Sequence, residues 1–318
     1  MDGRRVRSTL LWGIVVAVAL SVGLAPGGGR VPTPPFSADA LHALVQQQVD
    51  YGARVPGSPA SRKTQGLIQS MLKGRADLIF TPMGYVYSPV DGKTYTVQHF
   101  YARFHATAKN RFLLAAHYDS RPWADRDPNP RNQARPVPGA DDGASGTAVL
   151  LDLTRYLNRL PDDVGVDMAF VDGEDLGGYG QPDSFTSGAT VLTEWMKNGA
   201  VTQPFPREGV VVDMVGDPNT SIYPEAFSLK ANPMLVNTLW GLSGELYLPG
   251  FNQVPAGAEP ESIYDDHIAF TRIGVPTVLL IDLKYRYWHT TQDTPDKVSG
   301  ASMARIERLL WVWLSRQG

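Results

Sequence analysis

The chain has 318 residues, a formal net charge of −3 and no cysteine. This length is enough for one α/β domain with a large core, and the near balance of charge gives no general case for binding nucleic acid. Disulfides, iron–sulfur clusters, thiolate metal sites and a cysteine nucleophile are excluded, so any bound metal ion needs histidine and carboxylate ligands.

The first 26 residues form a predicted export segment. Three arginines among residues 1–7 precede an apolar stretch at 10–25, the order of a signal peptide's basic and hydrophobic regions. The stretch has about 16 residues, between a signal peptide and the roughly 20 of a full membrane span. We predict a signal peptide or an uncleaved N-terminal membrane anchor at 1–26, with the folded domain exported to the periplasm or the extracellular space. Membrane contact is expected only through this segment, and a Gly/Pro linker follows at 27–36.

Hydrophobic periodicity predicts helices and strands along residues 37–318. Helices are predicted at 37–51, 61–73, 143–160, 189–197, 232–246 and 299–316. Strands are predicted at 78–88, 95–107, 111–117, 164–171, 209–212 and 275–283, the first two as an antiparallel hairpin. Strands that alternate with helices predict an α/β fold: a single domain with a mixed, mostly parallel central sheet and helices on both faces.

Acidic residues and histidines recur where the apolar strands end. In an open α/β sheet, ligands bind outside the carboxyl ends of the strands, so side chains distant in sequence can converge there. Histidine and carboxylate together are ligands that suit zinc and similar divalent ions. The candidate metal-centre residues, in chain order, are His117, Asp142, Glu174, Asp175, Asp213 and His289.

Each candidate also has an ordinary structural explanation. Asp141-Asp142 can cap the helix that follows, Glu174-Asp175 can be a solvated strand end, and His289 can be a packed histidine. One such residue alone is weak evidence, whereas several at corresponding positions favour a common site. The adjacent Asp141 and Asp142 leave the choice of ligand between them open at this point. The loop at 121–138 lies near the site, either as a rim that shapes access or only as a rigid loop, and its role stays open.

Six segments carry a family resemblance. They are HYD at 117–119, GADDGASG at 139–146, DGEDLGG at 172–178, DMVGD at 213–217, YDDHIAF at 264–270 and YWHTTQDTPDK at 287–297. The chain thereby resembles the glutaminyl cyclases, which lie within the larger zinc aminopeptidase superfamily. RVPGS at 54–58 also fits, and the resemblance spans roughly 37–316. It is closest to the bacterial branch, in which an Asp follows the catalytic Glu.

The resemblance implies a role for each matched residue. The ligands of one zinc ion would be Asp142, Asp175 and His289. Glu174 would be the general acid/base, Asp265 an orienting carboxylate in catalysis, and Trp288 a substrate-binding wall of the pocket. His117 and Asp213 match the positions that hold a second zinc in two-metal aminopeptidases. The cyclases keep these two residues without a second metal, so a metal-binding and a site-supporting role both stay open.

The function implied by the resemblance is that of a glutaminyl-peptide cyclotransferase, which acts on peptide or protein N-termini. The N-terminal Gln would become pyroglutamate with release of ammonia, zinc polarising the side-chain amide and Glu174 shuttling the proton. One alternative is a zinc metallo-aminopeptidase with two zinc ions rather than one. The other is a non-catalytic peptidase-like binding module, which is disfavoured because no matched position is lost. The oligomeric state stays open.

Overall fold

The structure is a computed structural model that describes residues 31–201 and 204–318. The strands are β1 (Leu78–Phe80), β2 (Met83–Tyr87), β3 (Thr94–Gln98), β4 (Phe100–Phe104), β5 (Asn110–His117), β6 (Val164–Val171), β7 (Glu208–Asp213) and β8 (Thr277–Ile281). The α-helices are α1 (Ala38–Asp50), α2 (Pro59–Leu72), α3 (Ala144–Leu153), α4 (Ser187–Trp195), α5 (Ala226–Ala231), α6 (Pro233–Glu245), α7 (His267–Arg272) and α8 (Gly300–Ser315). The predicted export segment at 1–26 lies outside the described residues.

The main sheet has the strand order β1-β4-β6-β5-β7-β8. Strands β6, β5, β7 and β8 run parallel, whereas β4 is antiparallel to β6 and β1 is antiparallel to β4. Residues Val31–Gly318 cluster as one unit. The predicted single α/β domain with a mixed, mostly parallel sheet is therefore confirmed. Within the described ranges, every helix is too short or too polar to cross a bilayer.

Helices cover both faces of the sheet, as predicted. Leu114 and Ala116 of β5 pack in the same core as residues of α1, α3 and α8. Leu113 and Ala115 pack in a second core with residues of α4 and α7. Successive side chains of a strand point to opposite faces, so β5 is apolar throughout because both of its faces are buried.

The predicted hairpin at 78–88 and 95–107 is wrong in its extent. Only β2 and β3 form it, as a separate two-stranded sheet, while β1 and β4 pair with each other inside the main sheet. The two sheets part at Pro82 and His99, where the His99 N–H donates to the Pro82 carbonyl at 2.8 Å. Proline has no N–H to continue a ladder, which accounts for the division of the predicted strand 78–88 at Pro82.

Other predicted elements have the right type but inexact ends. The helix at 143–160 ends at Leu153, because the Thr154 hydroxyl donates to the Leu151 carbonyl and a separate 3₁₀ turn follows at Leu157–Arg159. The observed last strand, β8, is shorter than the predicted 275–283, because it begins only after Pro276. The six-residue helices α5 and α7 were not predicted, because such short helices show little periodicity.

Candidate metal centre

The predicted site residues converge at the carboxyl edge of the parallel strands. His117 and Asp213 are the last residues of β5 and β7. Glu174 lies three residues beyond the end of β6, and Asp142 immediately precedes the residue that caps α3. His289 follows β8 on a loop. Parallel strands end at the same edge, which explains why residues so far apart in sequence meet.

Two triads of metal-ligating side chains share Asp142. We call Asp142, Asp175 and His289 the first ligand group, and His117, Asp142 and Asp213 the second ligand group. Within each group the ligand atoms lie within 4.8 Å of one another, and a further set joins His117, Glu174 and Asp175. All of these side chains are buried.

The carboxylate of Asp142 faces both groups. Its Oδ2 lies 3.3 Å from Nε2 of His289, which is itself 3.1 Å from Oδ1 of Asp175. Its Oδ1 lies 3.2 Å from Nε2 of His117, which is 3.0 Å from Oδ1 of Asp213. The neighbouring Asp141 instead accepts a hydrogen bond from the Gly216 N–H at 2.6 Å. The structure thus brings Asp142, and not Asp141, into the groups.

The first ligand group fits the expected metal ion. Oδ2 of Asp175 is buried and has no hydrogen-bond partner among the described residues, and the equally buried Oδ2 of Asp142 has only the contact with His289 at 3.3 Å. An unpaired buried carboxylate oxygen is unfavourable, and a cation offsets it. Two carboxylates and one imidazole are ligands that zinc accepts in catalytic sites. The donor set is therefore chemically suited to zinc.

Asp119 holds the backbone that carries the acidic pair. Its two carboxylate oxygens accept hydrogen bonds from the Glu174 N–H at 3.3 Å and the Asp175 N–H at 3.2 Å. On its other side, the Asp119 backbone packs closely against Gly143, whose φ is +87° and where a Cβ atom would lie 2.3 Å from the Asp119 carbonyl oxygen. Sequence reasoning placed Asp119 at the end of β5 without assigning this role.

Two further residues support the loop before α3 and were missed. Asp293 accepts from the Asp141 N–H at 2.8 Å and from the Asp142 N–H at 3.2 Å. Arg54 is fully buried and donates to the carbonyls of Pro138 at 2.7 Å and Gly139 at 2.6 Å. Both residues lie inside quoted motifs, at 287–297 and 54–58, so the motifs were the available signal.

The loop at 121–138 belongs to the site rather than to its rim alone. Arg121 donates to the Asp175 carbonyl at 3.1 Å and forms two hydrogen bonds with Asp125 at 2.9 and 2.6 Å. Asp125 in turn lies 3.6 Å from Nδ1 of His289. The Tyr179 hydroxyl lies 2.5 Å from the same nitrogen. Such partners on the second ring nitrogen fix the tautomer and orientation of a ligand histidine.

The first ligand group opens into a pocket of about 270 Å³. Glu174 and Asp265 lie at its polar end, and Trp288 lines it as the resemblance implied. The Trp288 ring is stacked against Arg126, whose guanidinium carbon lies 4.3 Å from the ring centroid. Other apolar walls come from Tyr179, Phe185, Ile263 and Leu283. His289 has a φ of +56°, a strained backbone conformation of the kind found at functional sites.

Burial close to other carboxylates raises the pKa values of acidic residues in the site. Burial raises the pKa of Glu174 well above its ordinary value, with His117 opposing and Asp265 adding to the rise. Burial also raises the pKa of Asp175 to about 6, although the hydrogen bond from His289 opposes it. Crowded buried carboxylates resist ionisation together, and a bound cation lowers their pKa values.

Comparison with known proteins connects this geometry to a family. A model of peptidase family M28 matches residues 100–314. The glutaminyl-peptide cyclotransferase of Bothrops jararaca is 25% identical over 291 residues, which cover 82% of this chain and 76% of that protein. A crystal structure of Bacteroides thetaiotaomicron glutaminyl cyclase, bound to N-acetylhistamine, is 26% identical with a TM-score of 0.81, covering 89% of this chain and 99% of that one. A leucine aminopeptidase precursor from the same organism is 26% identical with a TM-score of 0.82, over 90% and 99%.

Proposed function

The chain belongs to peptidase family M28, and from that premise we propose that it is a glutaminyl-peptide cyclotransferase. It would convert the N-terminal Gln of peptides or proteins to pyroglutamate and release ammonia. The proposal is supported by the sequence similarity to a glutaminyl-peptide cyclotransferase and by the structural similarity to a glutaminyl cyclase. The export predicted from residues 1–26 is a second, separate proposal: the enzyme would act on peptides outside the cytoplasm.

The observation that carries the proposal is a buried acid beside an unsatisfied ligand group at the end of a small pocket. Glu174 is 6% exposed and lines the same pocket as Asp142, Asp175 and His289. A cyclisation needs one group that accepts a proton from an amine and returns it to a leaving nitrogen. A protein carboxylate held within reach of both nitrogens is suited to that work.

The residues of the first ligand group would hold the metal ion. We propose zinc, one per chain, which when bound supplies Lewis-acid polarisation of the substrate's side-chain amide. Asp142 and Asp175 would contribute carboxylate oxygens, and His289 its Nε2. Tyr179 and Asp125 would keep the imidazole oriented through Nδ1.

Glu174 would move the proton. The substrate's α-amine nitrogen attacks the carbon of its own side-chain amide, which forms a five-membered lactam. Glu174 accepts a proton from that amine and delivers it to the amide nitrogen, whose bond to carbon then breaks to release ammonia. Asp265 would orient the amine, since it lies close enough to Glu174 to raise the pKa of that residue. Trp288 would pack against the methylene groups of the Gln side chain.

A metallo-aminopeptidase is the second candidate. The second ligand group favours it, because His117, Asp142 and Asp213 share one carboxylate with the first group. The similar leucine aminopeptidase precursor also supports it. In that case Glu174 would act as base for a water molecule that hydrolyses the first peptide bond, and two metal ions would be expected.

Mass spectrometry of a Gln-initiated peptide, incubated with the zinc-replete protein, tests the proposal. Loss of ammonia from an otherwise intact peptide is the expected result. A peptide shortened by one residue would overturn it in favour of the aminopeptidase. An Asn-initiated peptide of the same sequence is the matched control, because its shorter side chain cannot close a five-membered ring.

A further inference from the structure

A second cavity of about 250 Å³ adjoins the pocket of the candidate site. The two cavities share Glu261, Ile263, Ile281 and Leu283 as lining residues. We call the second cavity the downstream groove. Beyond the shared wall, its lining includes Tyr223, Pro224, Val254, Ala258, Pro260 and Lys284.

We propose that the downstream groove binds the second or third residue of the peptide substrate and selects an apolar or aromatic side chain there. The inference rests on the proposed function, because it needs an N-terminal Gln seated in the adjoining pocket. An extended peptide advances about 3.3 Å per residue, so the residues that directly follow the Gln are the ones that meet the wall shared by the two cavities. Continuity between the two cavities therefore gives the outgoing chain a path along Ile281 and Leu283.

More of the groove's lining surface is apolar than polar. Ile281 is buried, Leu283 and Val254 are half-buried, and proline and alanine side chains complete the walls. The Lys284 ammonium lies 4.1 Å from the centroid of the Tyr223 ring, which keeps the ring in place as one wall. Ligand sites of this kind bind through apolar area, with few polar groups to orient the ligand.

The charged groups of the groove are not aimed at a ligand inside it. Glu259, Glu261 and Lys284 are exposed at its rim. The buried Glu225 already accepts hydrogen bonds from the N–H groups of Phe227 and Ser228, which cap α5. A polar side chain of the substrate would therefore find few hydrogen-bond partners in the groove. An apolar side chain would be stabilised there because its surface is removed from water.

A third cavity offers no such continuity with the pocket. A surface cavity beside β2, lined by Tyr85, Tyr87 and Gln181, shares no lining residue with the pocket. Because Tyr85 is an exposed tyrosine outside both the pocket and the groove, its replacement is a matched control for replacement of Tyr223.

The test compares turnover of Gln-Gly-Gly, Gln-Leu-Gly and Gln-Gly-Leu amides by the full chain. We expect one of the two leucine peptides to have a kcat/KM about 10-fold or more above that of Gln-Gly-Gly amide, since a single methylene in an apolar pocket already contributes about 10- to 200-fold. Tyr223→Ala and Val254→Asp should each bring this ratio close to one, whereas Tyr85→Ala should keep it. Equal turnover of all three peptides, or a ratio that survives both groove variants, would overturn the proposal.

Photo-crosslinking supplies a readout that does not need turnover. A Gln-initiated peptide with a benzophenone-bearing aromatic residue at the second or third position should crosslink to residues 221–225 or 254–263. Crosslinks confined to residues 85–89 or 181–190, or none at all, would overturn the groove assignment. If the protein crosslinks through the groove but cyclises no Gln peptide, the proposed function fails while the peptide-binding groove stands.

Discussion

The two ligand groups contain the same kinds of side chain and share Asp142, yet they differ in how far the protein satisfies them. In the first ligand group, one oxygen of Asp175 has no hydrogen-bond partner among the described residues. All three members of that group line the pocket. In the second ligand group, His117 is absent from the residues that line the pocket, and its ring nitrogens lie 3.4 Å from Asp119 and 3.0 Å from Asp213.

The difference shows that ligand-type residues at close range do not by themselves make two equal metal sites. Burial lowers the pKa of His117, but the charge of Asp213 and hydrogen bonds to Asp119 and Asp142 raise it well above its ordinary value. The neighbouring carboxylates thus provide a partner for each ring nitrogen of His117 without a metal ion. The first ligand group, with the unpaired Oδ2 of Asp175, has the stronger requirement for a cation.

Removal of Asp142, the ligand that both groups share, should have the largest effect on activity because it disrupts both groups. We expect Asp142→Ala to lower kcat/KM by about 10³-fold or more, since metal polarisation contributes several kcal/mol to the transition state. Metal content by mass spectrometry should fall to background while circular dichroism keeps its native form. Asp296→Ala, a change of an exposed acid in the 287–297 segment, is the control. A variant that lost its metal and kept full turnover would contradict the zinc assignment.

Replacement of the proposed proton carrier should separate metal binding from chemistry. Glu174→Gln is expected to keep the metal ion and lose about 10²- to 10⁴-fold in kcat, the usual contribution of general acid–base catalysis. Ammonia release and metal content would be measured on the same preparation. Glu194→Gln, on an exposed face of α4, serves as control. Near-normal turnover by Glu174→Gln would move the acid/base role to another residue.

The second ligand group can be tested through metal stoichiometry. We expect about one zinc per chain in the unaltered protein, and the same count in His117→Ala. That variant should lose about 10- to 100-fold in activity or metal affinity, as happens when a residue that supports the ligands is removed. A count that drops from two to one, together with loss of aminopeptidase activity, would instead make the second group a metal site.

The smallest effect is expected at a buried acidic pair outside the ligand groups, Asp152 and Glu307, which lacks a metal-ligating histidine. Burial and the negative charge of Asp152 raise the pKa of Glu307 to about 10, from an ordinary 4.5. The folded state thus holds a proton that the unfolded state releases above about pH 4.5, so the free energy of unfolding falls as pH rises toward 10.

Glu307→Gln should remove that dependence. We expect the variant to be about 1–3 kcal/mol more stable than the unaltered protein at pH 9, and about equally stable at pH 4. Urea unfolding at both pH values measures the difference, and kcat should not change. A variant that is destabilised equally at both pH values would show that Glu307 contributes by packing rather than by its charge.

The sequence could predict the elements whose signal is local. β6 matches the predicted 164–171 and β5 begins one residue before the predicted 111–117, because a strand buried on both faces reads as a continuous apolar run. The convergence of His117 with Asp213 was likewise predictable, since both follow parallel strands whose carboxyl ends share an edge.

Tertiary structure alone decided the features that depend on partners distant in sequence. The pairing of β1 with β4 and the contact of Tyr179 with His289 each join strands or residues that no local pattern links. The sequence by itself determined the order of the elements and the residue types at the strand ends, because these follow from apolar periodicity. Which carboxylate oxygens lack a partner and which cavities adjoin were decided only when the chain packed, because hydrogen bonding and enclosure depend on distances between distant segments.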